Sequence, residues 1–268
     1  MYSAVEQAVG YMWDRYGEPL SQTQIARNVQ LSRFYFARHF RATTGVTPGR
    51  FLAAIRVHQA KRLLVDTSLS INDVSCAVGY NSLGSFSNYF TASVGISAGQ
   101  FRRLSRMGAV DVPVLVPAQS TRLGLVAGTI SLPAGHGAAR IFVGAFPTAI
   151  IQGPPVAAVV VDVPTGRPCC YALSGIPEGS WSVHAVGVAD GLGVDPSATR
   201  SQIVGRRDAV AVAANGAASL AMRMRRRTLI DTPVLLALPD LIPAAGTAGS
   251  GCPAVARRPE WQAAERRP

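Results

Sequence analysis

The chain changes its pattern of apolar and polar positions near residue 110. Before that point, apolar residues recur at helical spacing, and the predicted helices cover about 3–16, 21–29, 32–44, 49–66, 70–78, 82–94 and a short stretch from 97. After it, strand-length apolar runs alternate with turns, and the predicted strands cover 129–132, 139–146, 156–161, 168–173, 181–188, 209–213 and 219–224. We therefore predict a two-domain chain, with an all-α domain over 1–106, a linker over 107–123, an antiparallel β-sandwich over 124–242 and a disordered tail over 243–268.

Two parts of the helical segment repeat each other at a shift of 50 positions. The matching residues are Ser32, Phe36 and Phe40 in the first part and Ser82, Phe86 and Phe90 in the second. Each part follows a short helix that opens with a capping box, which begins at Ser21 in one case and at Ser70 in the other. This repetition predicts two helix-turn-helix units joined by one stiff helix that starts at Pro48. We expect the aromatic residues of the repeat to be core; they are Tyr35, Phe36, Phe40, Phe86 and Phe90.

The charge distribution favours a polyanionic partner. The chain has 26 Lys and Arg against 15 Asp and Glu, and Lys61 is its only lysine. Residues 1–110 hold 12 of these basic residues against 5 acidic ones, a net of +7, whereas 111–268 hold 14 against 10, a net of +4. The positive excess is therefore densest on the predicted helix-turn-helix units.

Composition and motif searches exclude several classes of protein. An apolar fraction of 48% argues against wholesale disorder, and no apolar run approaches the ~18–20 residues of a membrane span. The N-terminus lacks the pattern of a signal peptide, so we expect a cytoplasmic protein without membrane contact. Nucleophile-elbow, zinc-protease and phosphate-loop motifs are missing, and neither the four cysteines nor His136 and His184 have metal-ligand or catalytic spacing. We expect no enzymatic activity, no metal and no cofactor.

The helical segment resembles the DNA-binding domain of the AraC/XylS family of bacterial transcription regulators. The resemblance rests on residues spread over about 100 positions: Leu20, Ser21, Ile25, Ala26, Leu31, Ser32, Tyr35, Phe36, Arg38, Phe40, Gly45, Val46, Thr47, Pro48, Phe51, Leu52, Arg56, Val57, Ala60, Leu63, Leu64, Ser70, Ile71, Val74, Val78, Gly79, Tyr80, Ser85, Phe86, Phe90, Gly95, Ile96, Ser97, Phe101 and Arg102. It implies seven helices and a sequence-specific regulator of transcription, with double-stranded DNA and RNA polymerase as partners. It also implies two recognition helices, about 32–44 and 82–94, that enter successive major grooves about 34 Å apart.

The exposed faces of the two recognition helices supply the candidate contacts with DNA. The expected base contacts are Arg33, Phe34, Ala37, Arg38, Leu83, Gly84, Ser87 and Asn88. The expected phosphate contacts are Arg41, Arg50, Ser82, Ser85, Arg102 and Arg103. Arginine can donate two hydrogen bonds to guanine and asparagine can bond adenine, whereas phosphate contacts add affinity that depends on salt. Since the second helix has Asn88 where the family often has arginine, we expect more specificity from the first unit, and we expect Arg56 to brace the helices.

The function of the C-terminal domain is open at this point. The stretch 171–185 resembles the hairpin of carboxypeptidase-regulatory-like, transthyretin-type sandwiches, which implies a module for binding a small-molecule or protein ligand or for self-association. The basic run Arg223 and Arg225–Arg227 is expected to be a solvated strand end or to add phosphate contacts. An alternative remains, in which the sandwich is an interaction or structural protein and the helical half binds DNA only non-specifically.

Overall fold

The computed structural model describes residues 3–107, 122–191 and 201–237. We call 3–107 the helical half and 122–237 the β half. The predicted tail and residues 108–121 of the predicted linker lie outside the described residues.

Seven α-helices form the described helical half, at the positions that the apolar periodicity predicts. They are α1 (Ala4–Asp14), α2 (Gln22–Asn28), α3 (Arg33–Thr44), α4 (Pro48–Asp66), α5 (Ile71–Ala77), α6 (Leu83–Val94) and α7 (Ala98–Met107). Helices α3 and α6 both have 12 residues and are related by the 50-residue shift. The predicted double helix-turn-helix arrangement of α2–α3 and α5–α6, joined by α4, is therefore present.

The same capping devices start and end the helices of both units. The Ser21 hydroxyl accepts a hydrogen bond from the Gln24 backbone N–H at 3.2 Å, while the Gln24 side chain accepts one from the Ser21 N–H at 2.7 Å. Ser70 and Asp73 form the second capping box. Because these bonds use residues three apart, the sequence was sufficient to predict them.

Gly45 and Gly95 end α3 and α6 in the same way. Their φ angles are 82° and 91°, in the left-handed region that glycine adopts without steric cost. Each glycine N–H donates to the carbonyl oxygen four residues earlier, on Arg41 and on Thr91.

Four of the five predicted core aromatics are fully buried, and the fifth is not. Phe36, Phe40, Phe86 and Phe90 have no exposed surface. Tyr35 is 48% exposed and stacks on His39, with 5.8 Å between the ring centroids. The prediction was wrong for Tyr35 because a helix turns about 100° per residue, so the neighbour of buried Phe36 points away from the core stripe.

Nine strands form two sheets in the described β half. They are β1 (Leu123–Ser131), β2 (His136–Phe146), β3 (Ala157–Val163), β4 (Cys169–Pro177), β5 (Gly179–Gly191), β6 (Ser201–Val212), β7 (Ala217–Ser219), β8 (Met222–Arg223) and β9 (Arg225–Arg226). One sheet has the order β3-β2-β5-β6-β9, and all of its pairs are antiparallel. The other has the order β4-β1-β7, with β8 also paired to β1.

Two of the strand pairs correct the prediction of a purely antiparallel fold. β1 pairs with β4 antiparallel, but β7 and β8 lie parallel to β1 along its other edge. These strands have only three and two residues, and they replace the continuous strand predicted over 219–224. Such short pieces carry too little alternation to reveal their direction.

The predicted hairpin at 171–185 is also wrong. β4 belongs to the smaller sheet and β5 to the larger one, and Glu178 is the single residue between them. The chain therefore passes from one sheet to the other instead of turning back on itself. The Trp181 indole N–H donates to the carbonyl oxygen of Pro177 at 2.8 Å and fixes this corner.

Apolar side chains from both sheets meet in one buried cluster. Val126 and Leu173 come from the smaller sheet, and Ile141, Val183 and Ile203 come from the larger one. The strand β6 begins earlier than the predicted 209–213, because the charged residues Arg206–Asp208 interrupt its apolar pattern while its pairing with β5 continues on both sides of a register shift near Asp208.

Candidate nucleic-acid interface

The first turns of α3 present large side chains to solvent. Phe34 is 85% exposed, and Arg33 and Arg38 are also exposed. The Arg38 guanidinium carbon lies 5.9 Å from the centroid of the Tyr35 ring, a cation–π distance. Ala37 is half-buried between these exposed positions. This face combines hydrogen-bond donors for base edges with apolar groups for thymine methyls.

The corresponding face of α6 is polar but carries no charge. Leu83 is 41% exposed, Gly84 and Asn88 are exposed, and Ser87 is half-buried. None of the 12 residues of α6 is charged. The two units therefore differ in the chemistry that they offer to DNA, although their backbones repeat.

The predicted phosphate contacts fall into two groups. Arg41, Arg50 and Arg103 are exposed. The hydroxyl of Ser82 caps α6 by accepting from the Ser85 N–H at 3.2 Å, and it donates to the Ser85 hydroxyl at 2.8 Å. Contact of these serines with phosphate remains a prediction.

Arg102, a predicted phosphate contact, connects α7 to the end of α4. Its Nε donates to the carbonyl oxygen of Leu64 at 3.2 Å and its Nη2 to that of Leu69 at 2.5 Å. Contact of Arg102 with phosphate also remains a prediction, and any such contact must coexist with these two bonds.

Arg56 braces the helices, as predicted. Its Nε donates to the carbonyl oxygen of Tyr16 and its Nη2 to that of Glu18, both at 2.8 Å. Burial lowers the pKa of this guanidinium from its usual value. The side chain thus joins α4 to the segment between α1 and α2.

The β half contacts the C-terminal ends of both α3 and α6. Arg206 Nη1 donates to the carbonyl oxygen of Thr44, the last residue of α3, at 2.9 Å. The backbone N–H of Ala237 donates to the carbonyl oxygen of Val94, the last residue of α6, at 3.4 Å. Gly153 N–H donates to Ser93 O at 2.6 Å. Since Thr44 and Val94 are related by the 50-residue repeat, the β half binds equivalent carbonyl groups in the two units.

A lysine connects α4 to the last described segment of the chain. We call residues 228–237 the strap. The Lys61 ammonium donates to the strap carbonyl oxygens of Leu235 and Leu236, both at 3.0 Å, and to that of Val234 at 3.5 Å. Burial lowers the pKa of Lys61 to about 8. Leu235, Ala237 and Ile150 are buried in the same apolar cluster as the helical core, so the two halves share packed residues.

The basic run is largely exposed to solvent, as the sequence suggested for a strand end, but its side chains also form contacts within the β half. Arg225 forms a two-point ion pair with Asp231, with distances of 2.6 and 2.5 Å. Arg226 Nε donates to His136 Nε2 at 3.3 Å, and Arg227 is half-buried. Arg223 is exposed. Most of the run thus takes part in contacts within the β half.

The two histidines of the β half are buried, although neither of them has a partner at motif spacing in the sequence. His136 and His184 are each 4% exposed. His184 Nε2 lies 3.2 Å from the carbonyl oxygen of Thr148, and its ring contacts Phe146 edge-on. Burial lowers the pKa of His184 to about 4. In the described ranges no cluster of His, Cys, Asp and Glu has the arrangement of a metal site.

The sequence could not reveal the contacts between the halves. The last carbonyl groups of a helix always need donors, so partners for α3 and α6 were expected in general. Arg206 lies 162 positions after Thr44, and nothing in the local pattern of either residue identifies the other.

Comparison with known proteins agrees with this geometry. Residues 25–104 match the family model of a helix-turn-helix domain. Over 98 residues the chain is 32% identical to the lactose operon transcription activator of Staphylococcus xylosus, a match that covers 37% of this chain and 35% of the relative. It is 30% identical over 109 residues to the melibiose operon regulatory protein of Escherichia coli K12, covering 41% and 36%. Residues 25–104 are an AraC-type helix-turn-helix domain.

The AraC-type domain also has relatives among solved structures. One is the DNA-binding domain of AdpA, a global transcriptional factor, in complex with a target DNA; it is 27% identical, with a TM-score of 0.38, and the match covers 40% of this chain and 96% of that chain. The chain spans about a third of the length of the two operon regulators that it matches. None of the helices in the described ranges has the length and hydropathy that a membrane crossing requires.

Proposed function

We propose that the chain is a sequence-specific DNA-binding transcription regulator, with α3 and α6 as its two recognition helices. The observation that carries this proposal is the repeated unit: two 12-residue helices 50 positions apart, with the same caps and exposed first turns. The AraC-type domain that contains them supports binding to DNA. The two relatives described above regulate operons, by their names.

The length of α4 supports insertion into successive major grooves. Its 19 residues span about 28 Å at 1.5 Å per residue. The centres of adjacent major-groove segments on one face of DNA are about 34 Å apart. A straight helix of this length, with one unit at each end, suits that separation.

The two units are proposed to divide the work of recognition. In the first unit, Arg33 and Arg38 can donate to guanine and Phe34 can contact a thymine methyl, while Asn88 of the second unit can bond adenine. The exposed Arg41, Arg50 and Arg103 are proposed to contact phosphates, which positions the protein without reading sequence. The uncharged surface of α6 then contributes less discrimination between bases than α3.

The β half is proposed to serve as a ligand, partner or self-association module. A closed β-sandwich over 124–242, separated by a linker from a DNA-binding domain over 1–106, is the arrangement that we propose for the full chain. RNA polymerase is proposed as a second macromolecular partner. The shared apolar cluster and the bonds to α3 and α6 give the β half a direct path to the recognition helices.

The alternative is an interaction protein whose helical half binds DNA non-specifically. Selection of bound sequences from random double-stranded DNA with the full chain, followed by footprinting, separates the two functions. Our proposal predicts one selected motif with two protected segments about one helical turn apart on one face. Failure to enrich any motif, with binding that depends on salt alone, would support the alternative.

A further inference from the structure

A cavity of about 350 Å³ lies at the seam between the two halves. Its walls include His58, Lys61 and Arg62 from α4, Gln202 from β6, and Val234 and Leu236 from the strap. We call it the seam cavity. Its volume is within the range of sites that hold small organic ligands, about 300–1,000 Å³. Side chains of the two halves line this space but do not fill it.

The seam cavity carries an excess of positive charge. Lys61 and Arg62 line it, and Asp66 is the one carboxylate among its described lining residues. Arg227 lies directly beside it, because its backbone N–H donates to the carbonyl oxygen of the lining residue Gln202 at 3.0 Å. The nearby carboxylate Asp231 is already held by Arg225 in a two-point ion pair.

The three cations at the cavity differ in how they can interact with a ligand. The Lys61 ammonium already donates to strap carbonyl groups and acts on a ligand through its charge. Arg62 is exposed and lines the cavity. The Nε of Arg227 is buried without a hydrogen-bond partner among the described residues. Arg62 is therefore the donor that an entering ligand meets first.

The pKa of His58 depends on the charges around the cavity. Burial, together with the positive charges of Arg227, Lys61 and Arg62, lowers this pKa to about 4. The Trp13 ring packs edge-on against its imidazole, with 5.5 Å between centroids. The histidine is thus neutral at pH 7, and a bound negative charge would raise its pKa.

The cavity lining also includes apolar side chains from both α4 and the strap. Val234 and Leu236 of the strap face α4, where Val65 is 45% exposed. A purely ionic ligand such as phosphate leaves this surface in water. A carboxylate with a short apolar body covers it and also places its charge near Arg62 and Lys61.

We propose that the seam cavity binds a small organic carboxylate, whose charged end faces Lys61 and Arg62 and whose apolar body lies against Val65, Val234 and Leu236. Such a ligand touches α4, which joins the two helix-turn-helix units, and the strap that Lys61 holds. It therefore stabilises the docked arrangement of the halves relative to an undocked one, by its difference in affinity for the two states. Binding stands on the cavity alone, whereas an effect on transcription rests on the proposed function.

Calorimetric titration of the full chain with hexanoate, without DNA and at constant ionic strength, tests the proposal. Hexanamide serves as the neutral isostere and inorganic phosphate as the anion without an apolar body. The expected result is saturable binding of hexanoate, with no measurable binding of the other two. Equal binding of hexanamide, tighter binding of phosphate, or no saturation by about 10 mM hexanoate would each overturn the proposal.

Two matched variants locate the site. Arg62→Gln removes the exposed cation of the cavity and is expected to weaken hexanoate about tenfold, equivalent to ~1.4 kcal/mol. Arg207→Gln removes an exposed cation of β6 outside the lining and should leave binding unchanged. In the wild type, the NMR titration of the His58 ring should shift to higher pH with hexanoate. Equal affinity in Arg62→Gln and the wild type, or an unmoved His58 titration, would contradict this site.

Because these titrations contain no DNA, they fail or succeed independently of the proposed function. Hexanoate binding without sequence-specific DNA binding would leave the cavity assigned and the regulator proposal refuted. Sequence-specific DNA binding without hexanoate binding would support the regulator proposal and refute the assignment of the cavity.

Discussion

Arg206 of the β half donates a hydrogen bond to the carbonyl oxygen of Thr44, the last residue of α3. Fifty positions later in the helical repeat, the carbonyl oxygen of Val94 accepts from Ala237 of the strap. The β half is therefore bonded to the same point of both helix-turn-helix units. This relationship makes the β half part of the frame that sets the relative position of α3 and α6.

Replacing Arg206 should loosen the end of α3. Arg206→Ala removes the donor to Thr44 and the guanidinium that occupies the space next to Gly45. We expect a loss of about 1–2 kcal/mol in the free energy of unfolding, as for one charge-assisted hydrogen bond. Hydrogen exchange of the amides around 44–46 should accelerate. Arg207→Ala, at the exposed neighbour, is the control, and equal exchange in both variants would contradict the bracing role.

Removing the Lys61 ammonium should weaken the attachment of the strap. Lys61→Met keeps an unbranched apolar side chain but leaves the carbonyl groups of Leu235 and Leu236 without this donor. We expect destabilisation of about 1–3 kcal/mol and faster proteolysis of the strap. Urea denaturation and limited proteolysis measure the two effects. A strap that is protected equally in Lys61→Met and the wild type would show that these bonds do not hold it.

The free energy of unfolding should fall as the pH decreases from 6.5 toward 4, because the buried His184 resists protonation in the folded chain. The pKa of His184 is lowered to about 4 in the folded chain, whereas its ordinary value is 6.5. Below pH 6.5 the unfolded chain binds a proton that the folded chain does not, so this contribution is complete above pH 6.5 and is lost toward pH 4.

His184→Gln isolates that contribution. Glutamine does not titrate but retains an N–H for the carbonyl oxygen of Thr148. The change in unfolding free energy between pH 7 and pH 5 should be smaller in the variant, with a difference on the order of 1 kcal/mol. His58, whose pKa is also lowered to about 4, accounts for a remaining slope. An identical pH dependence in both proteins would refute the assignment to His184.

DNA binding should respond unequally to loss of polar side chains from α3 and α6, the two proposed recognition helices. Arg38→Ala is expected to weaken binding to a selected site by about 1–3 kcal/mol, because the bidentate contact with a base that we propose for Arg38 could not form. Asn88→Ala should cost less, since α6 offers no charge to DNA. Gel-shift titrations on the selected motif measure both, with Arg207→Ala as the charge-matched control. A larger loss for Asn88→Ala would reverse the proposed division of labour.

Local interactions made most of the helical half predictable. The capping boxes at Ser21 and Ser70 and the glycine ends at Gly45 and Gly95 use residues within four positions, so the sequence alone locates them. Burial of Phe36 and Phe40 follows from their spacing by one turn. Tyr35 shows the limit of this reasoning, because its residue type suggested core while its angular position on α3 places it in solvent.

Long-range interactions were beyond the reach of the sequence pattern. The carbonyl groups that Lys61 binds lie 173 to 175 positions away, and backbone carbonyls carry no signature in the residue type. The parallel pairing of β7 and β8 with β1, and the crossing of the chain between sheets at Glu178, likewise depend on the packing of the whole β half.

The central claim is that α3 and α6 read sequence, and one comparison tests it most directly. The affinity of the full chain for its selected motif is measured against random DNA at two salt concentrations. We predict that affinity for the motif exceeds affinity for random DNA by a factor of at least about 10³ at physiological salt. Arg38→Ala should reduce this factor markedly more than Arg207→Ala. A ratio near one, with affinity that varies only with salt, would contradict the account.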